Sequence, residues 1–297
     1  MTPQDAVMGE RRQLTGLAYR LLGSLADAED VVQEAYARWY ALAPARRDEI
    51  VSPGAWLTTV ASRLCLDQLG SARARRERYV GEWIPEPLPG RAAWTGGPAA
   101  DPADRVTLDE SVTMAFLVML ESMTPAERVA FVLHDVFRYP FAEVAEIVGR
   151  SPAACRQLAS SARRRLPPEP EPAVPAARYA ATVRAFKEAW QAGDIAALIG
   201  LLDEDATATG DGGGLVNAVS PPVEGAERIA RFLVGLASAA PDLDLEERTV
   251  NGRPGLIGRL DGAVAAVYAF QVTGGRITRI WTVLNPAKLR PWTAGGE

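Results

Sequence analysis

The chain has 297 residues, a net charge of −5, 48% hydrophobic and 23% charged residues. At roughly 100–200 residues per domain this length predicts two or three domains, and the composition excludes a disordered chain. No run approaches the ~20 apolar residues of a membrane helix, and the N-terminal MTPQDAVMGERRQ lacks the apolar stretch of a signal peptide. The expectation is therefore a protein with no membrane contact. Two distant cysteines, Cys65 and Cys155, exclude a disulfide framework and a cysteine zinc site, and they predict a cytoplasmic location. His134 is the only histidine. Triads, Cys-His pairs and His-ligated metals would all have to use it. Its ordinary reading is a half-buried helix residue, and no cofactor or metal is expected.

The N-terminal block reads as helical. Leu14, Leu17, Ala18, Leu21 and Leu22 recur at helix spacing, as do Val31, Val32, Ala35, Tyr36 and Trp39. Ala45–Val51 reads as a loop. Ser52-Pro53 then opens a helix, with serine as cap and proline in the first turn. Trp56, Leu57, Val60, Leu64 and Leu69 carry it into the cluster Arg73, Arg75, Arg76 and Arg78. Prolines 85, 87, 89, 98 and 102 prevent a regular helix over 81–105.

Helices resume after that break. Thr124-Pro125-Ala126-Glu127 is a capping box. Phe141, Val144, Ala145 and Val148 form one apolar stripe, Gly149 ends it, and Ser151-Pro152 opens the next helix. That helix has Cys155, Leu158, Ala159, Ala162 and Leu166 on its apolar side. Two short helices joined by a glycine-containing turn predict a helix-turn-helix. Pro167 to Pro172 reads as a polyproline spacer. The remainder predicts two helices, about Ala177–Ala192 and Ile195–Leu202, and then antiparallel strands at Leu256–Arg259, Val264–Val272 and Ile277–Leu284. Five segments follow: 1–80, a proline-rich linker 81–105, 106–166, a spacer 167–175, and 176–297. The expected fold is multidomain, with two all-α domains (a helical bundle and a helix-turn-helix) and an α+β cone.

The negative net charge conceals a sorted distribution. Residues 1–166 carry 20 basic and 21 acidic groups, and residues 167–297 carry 12 and 16. On the second helix of the helix-turn-helix, Ala153, Arg156, Gln157, Ser160 and Arg164 lie opposite the apolar stripe. Small residues permit close groove approach, and Arg and Gln suit G and A edges. Arg163, Arg164 and Arg165 suit phosphates.

Asp27-Ala28-Glu29-Asp30-Val31-Val32-Gln33-Glu34-Ala35-Tyr36 resembles the core-polymerase-binding helix of bacterial sigma factors. Trp56 to Leu69, running into arginines, resembles the helix that engages the −10 promoter element. The helix-turn-helix with Ser151 to Leu166 resembles the −35-reading domain. Sigma-2 and sigma-4 with no sigma-3 between them is the extracytoplasmic-function (ECF) arrangement. Tyr79-Val80-Gly81-Glu82-Trp83-Ile84-Pro85-Glu86-Pro87, Asp211-Gly212-Gly213-Gly214 and Asn285-Pro286-Ala287-Lys288-Leu289 are similar to motifs of the SigJ-like, or ECF41, group, which carries a fused SnoaL-like (NTF2-like) domain. Leu215 stands where that group commonly has a basic residue, and Ala287 where it has an acidic one.

The resemblance implies a sigma factor that binds core RNA polymerase, through its β′ and β subunits, and promoter DNA. Asp30, Gln33, Glu34 and Arg38 would face the polymerase. Arg63, Arg73, Arg75, Arg76 and Arg78 would face the −10 side, and Ala45–Val51 would lie where a flipped −10 base is held. Ser151, Ala153, Arg156, Gln157, Ser160, Arg163 and Arg164 would face the −35 side. Trp83, Ile84, Pro85, Glu86 and Pro87 would meet Asp211, Gly212, Gly213, Gly214, Asn285, Pro286, Lys288 and Leu289 in a regulatory contact. The C-terminal domain would thereby stand in for a separate anti-sigma factor. The alternative is a helix-turn-helix regulator with a small-ligand-sensing NTF2-like domain. A third reading, an NTF2-like enzyme, is disfavoured because acid–base pairs need two tuned groups in one pocket and no histidine follows His134. Trp190, Tyr268, Phe270 and Trp281 line a pocket in that reading, and pack as core otherwise.

Overall fold

The computed structural model describes residues 10–76, 79, 81–90, 112–166 and 174–293, with the backbone alone for 72–76. These residues form two compact units. One holds 10–76, 112 and 116–166, and the other holds 79–90, 113–115 and 174–293. Arg78 and the Pro167–Pro172 spacer lie outside the described residues.

The first unit is helical. Helix α1, Arg11–Leu22, ends at Gly23, which adopts φ 70° and donates its N–H to the Tyr19 carbonyl. Helix α2, Leu25–Ala41, starts at Ser24, whose hydroxyl accepts from the Asp27 amide. Residues Pro44–Asp48 form a short helix, α3, with an Arg46–Glu49 pair, where the sequence predicts a loop. Proline in the first turn followed by Ala and Arg accounts for this turn of helix. Val51, just beyond it, is fully exposed. Helix α4, Pro53–Arg76, is capped by Ser52. Its buried side is Leu57, Thr58, Ala61, Ser62, Cys65 and Leu69. Trp56, Val60 and Leu64, predicted for that stripe, are only half-buried beside it. Small side chains let neighbouring helices approach, which periodicity of large apolar residues does not register.

Helices α5 (Met114–Glu121) and α6 (Pro125–Phe131) follow, and the predicted capping box is formed at Thr124 and Glu127. A π-helical turn, Val132–Val136, leads to α7 (Phe141–Val148). Gly149 at φ 70° and the Ser151 cap then open α8, Pro152–Arg163. Val144, Ala145 and Ile147 of α7 and Cys155, Ala159 and Ala162 of α8 are buried, and the two helices pack together. Phe141 and Val148 are half-buried, so Ile147 takes the place predicted for Val148. His134 is half-buried, stacked on Phe141, with Nδ1 2.9 Å from the Tyr139 carbonyl.

Glu127 ties α6 to α8. Burial opposes its ionisation, but hydrogen bonds from Ser161 and from the Thr124 amide and hydroxyl, with Arg165 nearby, outweigh burial and lower its pKa from 4.5 to about 2. A depressed carboxylate pKa stabilises fully above the unfolded value and loses that contribution as pH falls through the folded one. Helical melting temperature is therefore expected to fall between pH 4.5 and about 2. Glu127→Gln should flatten that part of the profile.

The second unit begins with α9 (Ala176–Gln191) and α10 (Ile195–Leu201). It continues with β1 (Leu202–Asp211), β2 (Val223–Glu224), α11 (Ala226–Ala239), β3 (Asp244–Val250), β4 (Arg253–Leu260), β5 (Ala263–Thr273), β6 (Arg276–Val283) and α12 (Arg290–Thr293). The sheet order is β2-β1-β6-β5-β4-β3, with β1 and β6 parallel and the remaining pairs antiparallel. The α+β architecture matches expectation. The third helix, strands β1 and β3, and the parallel pair do not appear in the sequence reading. Strand β1 reads Leu-Asp-Glu-Asp-Ala-Thr-Ala-Thr-Gly-Asp, and Ala206 and Ala208 are its inward residues after Leu202. Such small residues give little alternating signal.

The two sheet faces have different neighbours. Tyr179, Phe186 and Trp190 of α9 pack with Tyr268 and Phe270 on one face. The adjoining register row, Asp211, Val283, Val267 and Ile257, points the other way and is buried too.

Candidate functional site

On that second face the C-terminal unit holds residues 79–90. The Asp211 side chain, at the end of β1, is fully buried and accepts four hydrogen bonds. The Tyr79 hydroxyl (2.6 Å) and the Gly213 amide (3.0 Å) bind Oδ1, while the Ile84 amide (3.0 Å) and Lys288 Nζ (2.6 Å) bind Oδ2. Lys288 Nζ also donates to the Ile84 carbonyl and lies 4.1 Å from the centre of the Trp83 ring. Asn285 Nδ2 donates to the Tyr79 hydroxyl at 2.8 Å, and its Oδ1 accepts from the Ala287 amide. Burial, then the hydrogen bond to the Asp211 carboxylate, pushes the Tyr79 pKa upward, so Tyr79 stays a neutral donor.

Further along, Trp292 Nε1 donates to the Pro87 carbonyl at 2.8 Å. The Leu88 amide donates to Asn251 Oδ1, and the Asn251 amide returns a bond to the Leu88 carbonyl. Gly90 donates to the Thr249 carbonyl and accepts from Gly252, so the segment bridges antiparallel to β3. The donating amides are Ile84, Leu88 and Gly90. Prolines occupy 85, 87 and 89, positions with no N–H to satisfy. Fixed φ at three residues also lowers the entropy lost on docking. Two glycines are geometrically required. A Cβ on Gly212 would sit 1.9 Å from the Val216 carbonyl oxygen, and one on Gly213, at φ +65°, would sit 2.5 Å from Asn285 Nδ2.

The helical unit carries two exposed polar faces. On α2, Asp30, Gln33, Glu34 and Arg38 are exposed, with Glu34 and Arg38 paired at 2.8 Å. On α8, Ala153, Arg156, Gln157, Ser160, Arg163 and Arg164 are exposed. Arg156 lies over the Phe141 ring and Arg163 pairs with Asp135. Ser151 is the helix cap, its hydroxyl accepting from the Ala154 amide. Arg63 of α4 donates to the Glu146 carbonyl of α7, and the Tyr139 hydroxyl to Thr58 of α4. Buried Arg128 bonds both the Leu21 carbonyl and Glu121. The N-terminal helices and the helix-turn-helix thus share one core.

Family models match three stretches: Sigma-70 region 2 over residues 6–75, Sigma-70 region 4 over 113–166, and a SnoaL-like domain over 183–283. The chain is 41% identical over 290 residues to the ECF RNA polymerase sigma factor SigJ of Mycobacterium tuberculosis, covering 94% of this chain and 90% of that one. The chain belongs to the ECF family of RNA polymerase sigma factors. It is also 38% identical to a probable ECF sigma factor SigI of M. tuberculosis, over 96% of this chain and 93% of that protein. The crystal structure of M. tuberculosis SigJ superposes with a TM-score of 0.75 at 39% identity, covering 95% and 96% of the two chains.

In this sigma factor, Arg73, Arg75 and Arg76 lie on the last turns of α4, where only the backbone is described. Trp83 is half-buried, and Ile84, Pro85, Glu86, Pro87, Asn285, Lys288 and Leu289 are buried, while Pro286 is exposed. Leu215 and Ala287, the two departures from the family motifs, are both exposed, and no contact of the clamp runs through their side chains. The sequence reading omits Asn251 and Trp292 as partners of the segment. Asn251-Gly252 between two alternating runs carries a usable signal, because that dipeptide favours a tight hairpin turn, and Asn251 is at φ 49°. Of the four aromatic pocket candidates, Trp190 and Phe270 pack in the core and Trp281 points to the opposite sheet face. Tyr268 lines a cavity.

Proposed function

We propose that this sigma factor binds core RNA polymerase, through β′ and β, by the α2 face Asp30–Gln33–Glu34–Arg38. Helix α4 engages the −10 element, with Arg63, Arg73, Arg75, Arg76 and Arg78 on phosphates, and α8 reads the −35 element. Its work is in the cytoplasm. The SnoaL-like unit acts as a built-in regulator, in place of an anti-sigma factor, by gripping residues 79–90. The carrying observation is the buried Asp211–Lys288 pair closed around Tyr79 and Ile84. The bonds from Arg63 to Glu146 and from Tyr139 to Thr58 support the same reading. They engage α4 with the helix-turn-helix rather than leaving both open to DNA.

Run-off transcription with purified core polymerase tests the regulatory role. Removal of residues from 285 onward should change output without changing the promoter used, and Trp83→Ala should act in the same direction. The two effects should be non-additive, because they meet at one interface. Additive effects, or none, would reduce the segment to a passive linker.

The −35 role has its own test. Arg156 and Gln157 are assigned to base edges, and Arg164 to phosphate. Arg156→Ala should cost about 1–3 kcal/mol at one base position. Arg164→Ala should weaken all sequences alike and reduce the salt slope. Equal losses for Arg156→Ala on specific and scrambled DNA would remove it from base reading.

A further inference from the structure

Phe141 belongs to the apolar stripe that the sequence predicts for α7, yet it is only half-buried, and Ile147 completes the core. Its ring has two partners outside that core. The His134 imidazole stacks on it, with centroids 3.8 Å apart and 26° between the planes. The guanidinium carbon of Arg156, from α8, lies over the same ring, 5.7 Å from its centre. That distance is within the reach of a cation–π contact. Arg156 itself is exposed.

The stack is backed by the π-helical turn. The Phe137 amide reaches back to the Val132 carbonyl at 3.1 Å, and this widened turn carries His134 and Asp135. The Tyr139 carbonyl, accepting from His134 Nδ1 at 2.9 Å, fixes the imidazole plane. Asp135 meets a second arginine of α8, Arg163, at 2.7 Å. Arg156 and Arg163 are about two turns apart on that helix, and they are held differently. An ion pair occupies N–H donors, as Arg163 Nε is bonded to Asp135 Oδ1. A ring face orients a guanidinium and leaves its donors free. Among the described residues the Arg156 side chain donates no hydrogen bond.

We propose that Phe141 is a positioning residue for promoter recognition: its ring, seated on His134, keeps the Arg156 guanidinium oriented toward a −35 base edge. A free arginine side chain samples many rotamers, and fixing them before contact lowers the cost of binding. Bidentate reading of a guanine edge needs the planar fork in one orientation, which stacking on a flat ring supplies. This positioning rests on the base-reading role of Arg156 given above, whereas the stack exists without DNA.

The test uses holoenzyme assembled from the full chain and core RNA polymerase, on the promoter duplex that wild-type holoenzyme selects from a pool randomised over the −35 element. Each −35 base is then permuted in turn, and relative affinities are read by competition, so that any loss of active protein cancels. Arg156→Ala should flatten the preference at one position. Phe141→Leu should reduce the preference at that same position about two- to fivefold, the worth of an exposed cation–π contact, and leave the other positions unchanged. Phe141→Trp, which keeps an aromatic face, should retain it. In the Arg156→Ala background, Phe141→Leu should change nothing further. In the free chain, the NMR order parameter of the Arg156 Nε–H group should fall in Phe141→Leu and hold in Phe141→Trp. An equal loss at every position, a loss that persists without Arg156, Phe141→Trp as poor as Phe141→Leu, or an unchanged order parameter in Phe141→Leu each overturns the positioning role. Base preferences preserved in Arg156→Ala would instead fail the base-reading role beneath it, whatever the order parameter does.

Discussion

Asp211→Asn is expected to release residues 79–90 from the SnoaL-like unit. The substitution keeps the shape of the side chain and removes its charge. Lys288, 8% exposed, then loses the charge of the carboxylate that it contacts at 2.6 Å. Breaking a buried pair from one side costs about 3–5 kcal/mol, most of it the penalty of the stranded charge. Hydrogen exchange at the Ile84 and Leu88 amides should accelerate by two orders of magnitude or more, since ~1.4 kcal/mol is a factor of ten. Lys288→Met alone should also be costly, because the Asp211 carboxylate then loses its cation. The double variant Asp211→Asn with Lys288→Met should recover part of the loss, because neither charge is left alone. Exchange rates that stay at wild-type values in Asp211→Asn would mean that the segment is held by packing of Ile84 and Leu88 and not by the ion pair.

The second large effect concerns polymerase. Gln33→Arg combined with Glu34→Arg should abolish tight binding of core polymerase. The intramolecular cost is small. The Glu34–Arg38 pair is exposed on both sides, and exposed i, i+4 pairs contribute only a few tenths of a kcal/mol. The neighbours Val31, Val32 and Ala35 stay buried, so the melting temperature should hardly move. At an interface complementary to the wild-type face, reversing the Glu34 charge costs several kcal/mol, which predicts a loss of about a hundredfold or more in affinity. Measuring core affinity and thermal stability on one preparation separates the two. Unchanged affinity would remove this face from the polymerase contact.

Most of the helical unit was legible because its signals are local. Ser52, Thr124 and Ser151 cap helices as their positions predict, and Gly149 stops one. The exposed faces of α2 and α8 follow from the same periodicity. The C-terminal unit was less legible for two reasons. Strand β1 is built from Ala, Thr, Gly and Asp, so burial there depends on α11 packing across it and not on its own hydrophobicity. Its parallel pairing with β6 joins residues some seventy positions apart, and nothing local encodes that. The clamp was legible only as three motifs. That Tyr79 lies between Asp211 and Asn285 follows from long-range geometry, as does the approach of Trp292 to Pro87. The short helix Pro44–Asp48 shows the reverse case, in which local helix propensity prevailed over the loop expected there.

The grip on residues 79–90 is made mostly through main-chain atoms: the Ile84 amide and carbonyl, the Pro87 carbonyl, and both groups of Leu88 and of Gly90. The Tyr79 hydroxyl, the Trp83 ring and the buried side chains of Ile84, Glu86 and Leu88 add to it. What the C-terminal unit measures is therefore a distance along the chain more than a set of side chains. The segment works as a ruler, with Tyr79 at one end seated on Asp211 and Gly90 at the other seated on the β3–β4 turn. Substitutions at exposed positions such as Glu82 leave every amide opposite its acceptor. One residue gained or lost between Tyr79 and Leu88 would shift all later marks at once and place prolines where donors are required. Evolution can thus vary the exposed positions of this segment but not its length.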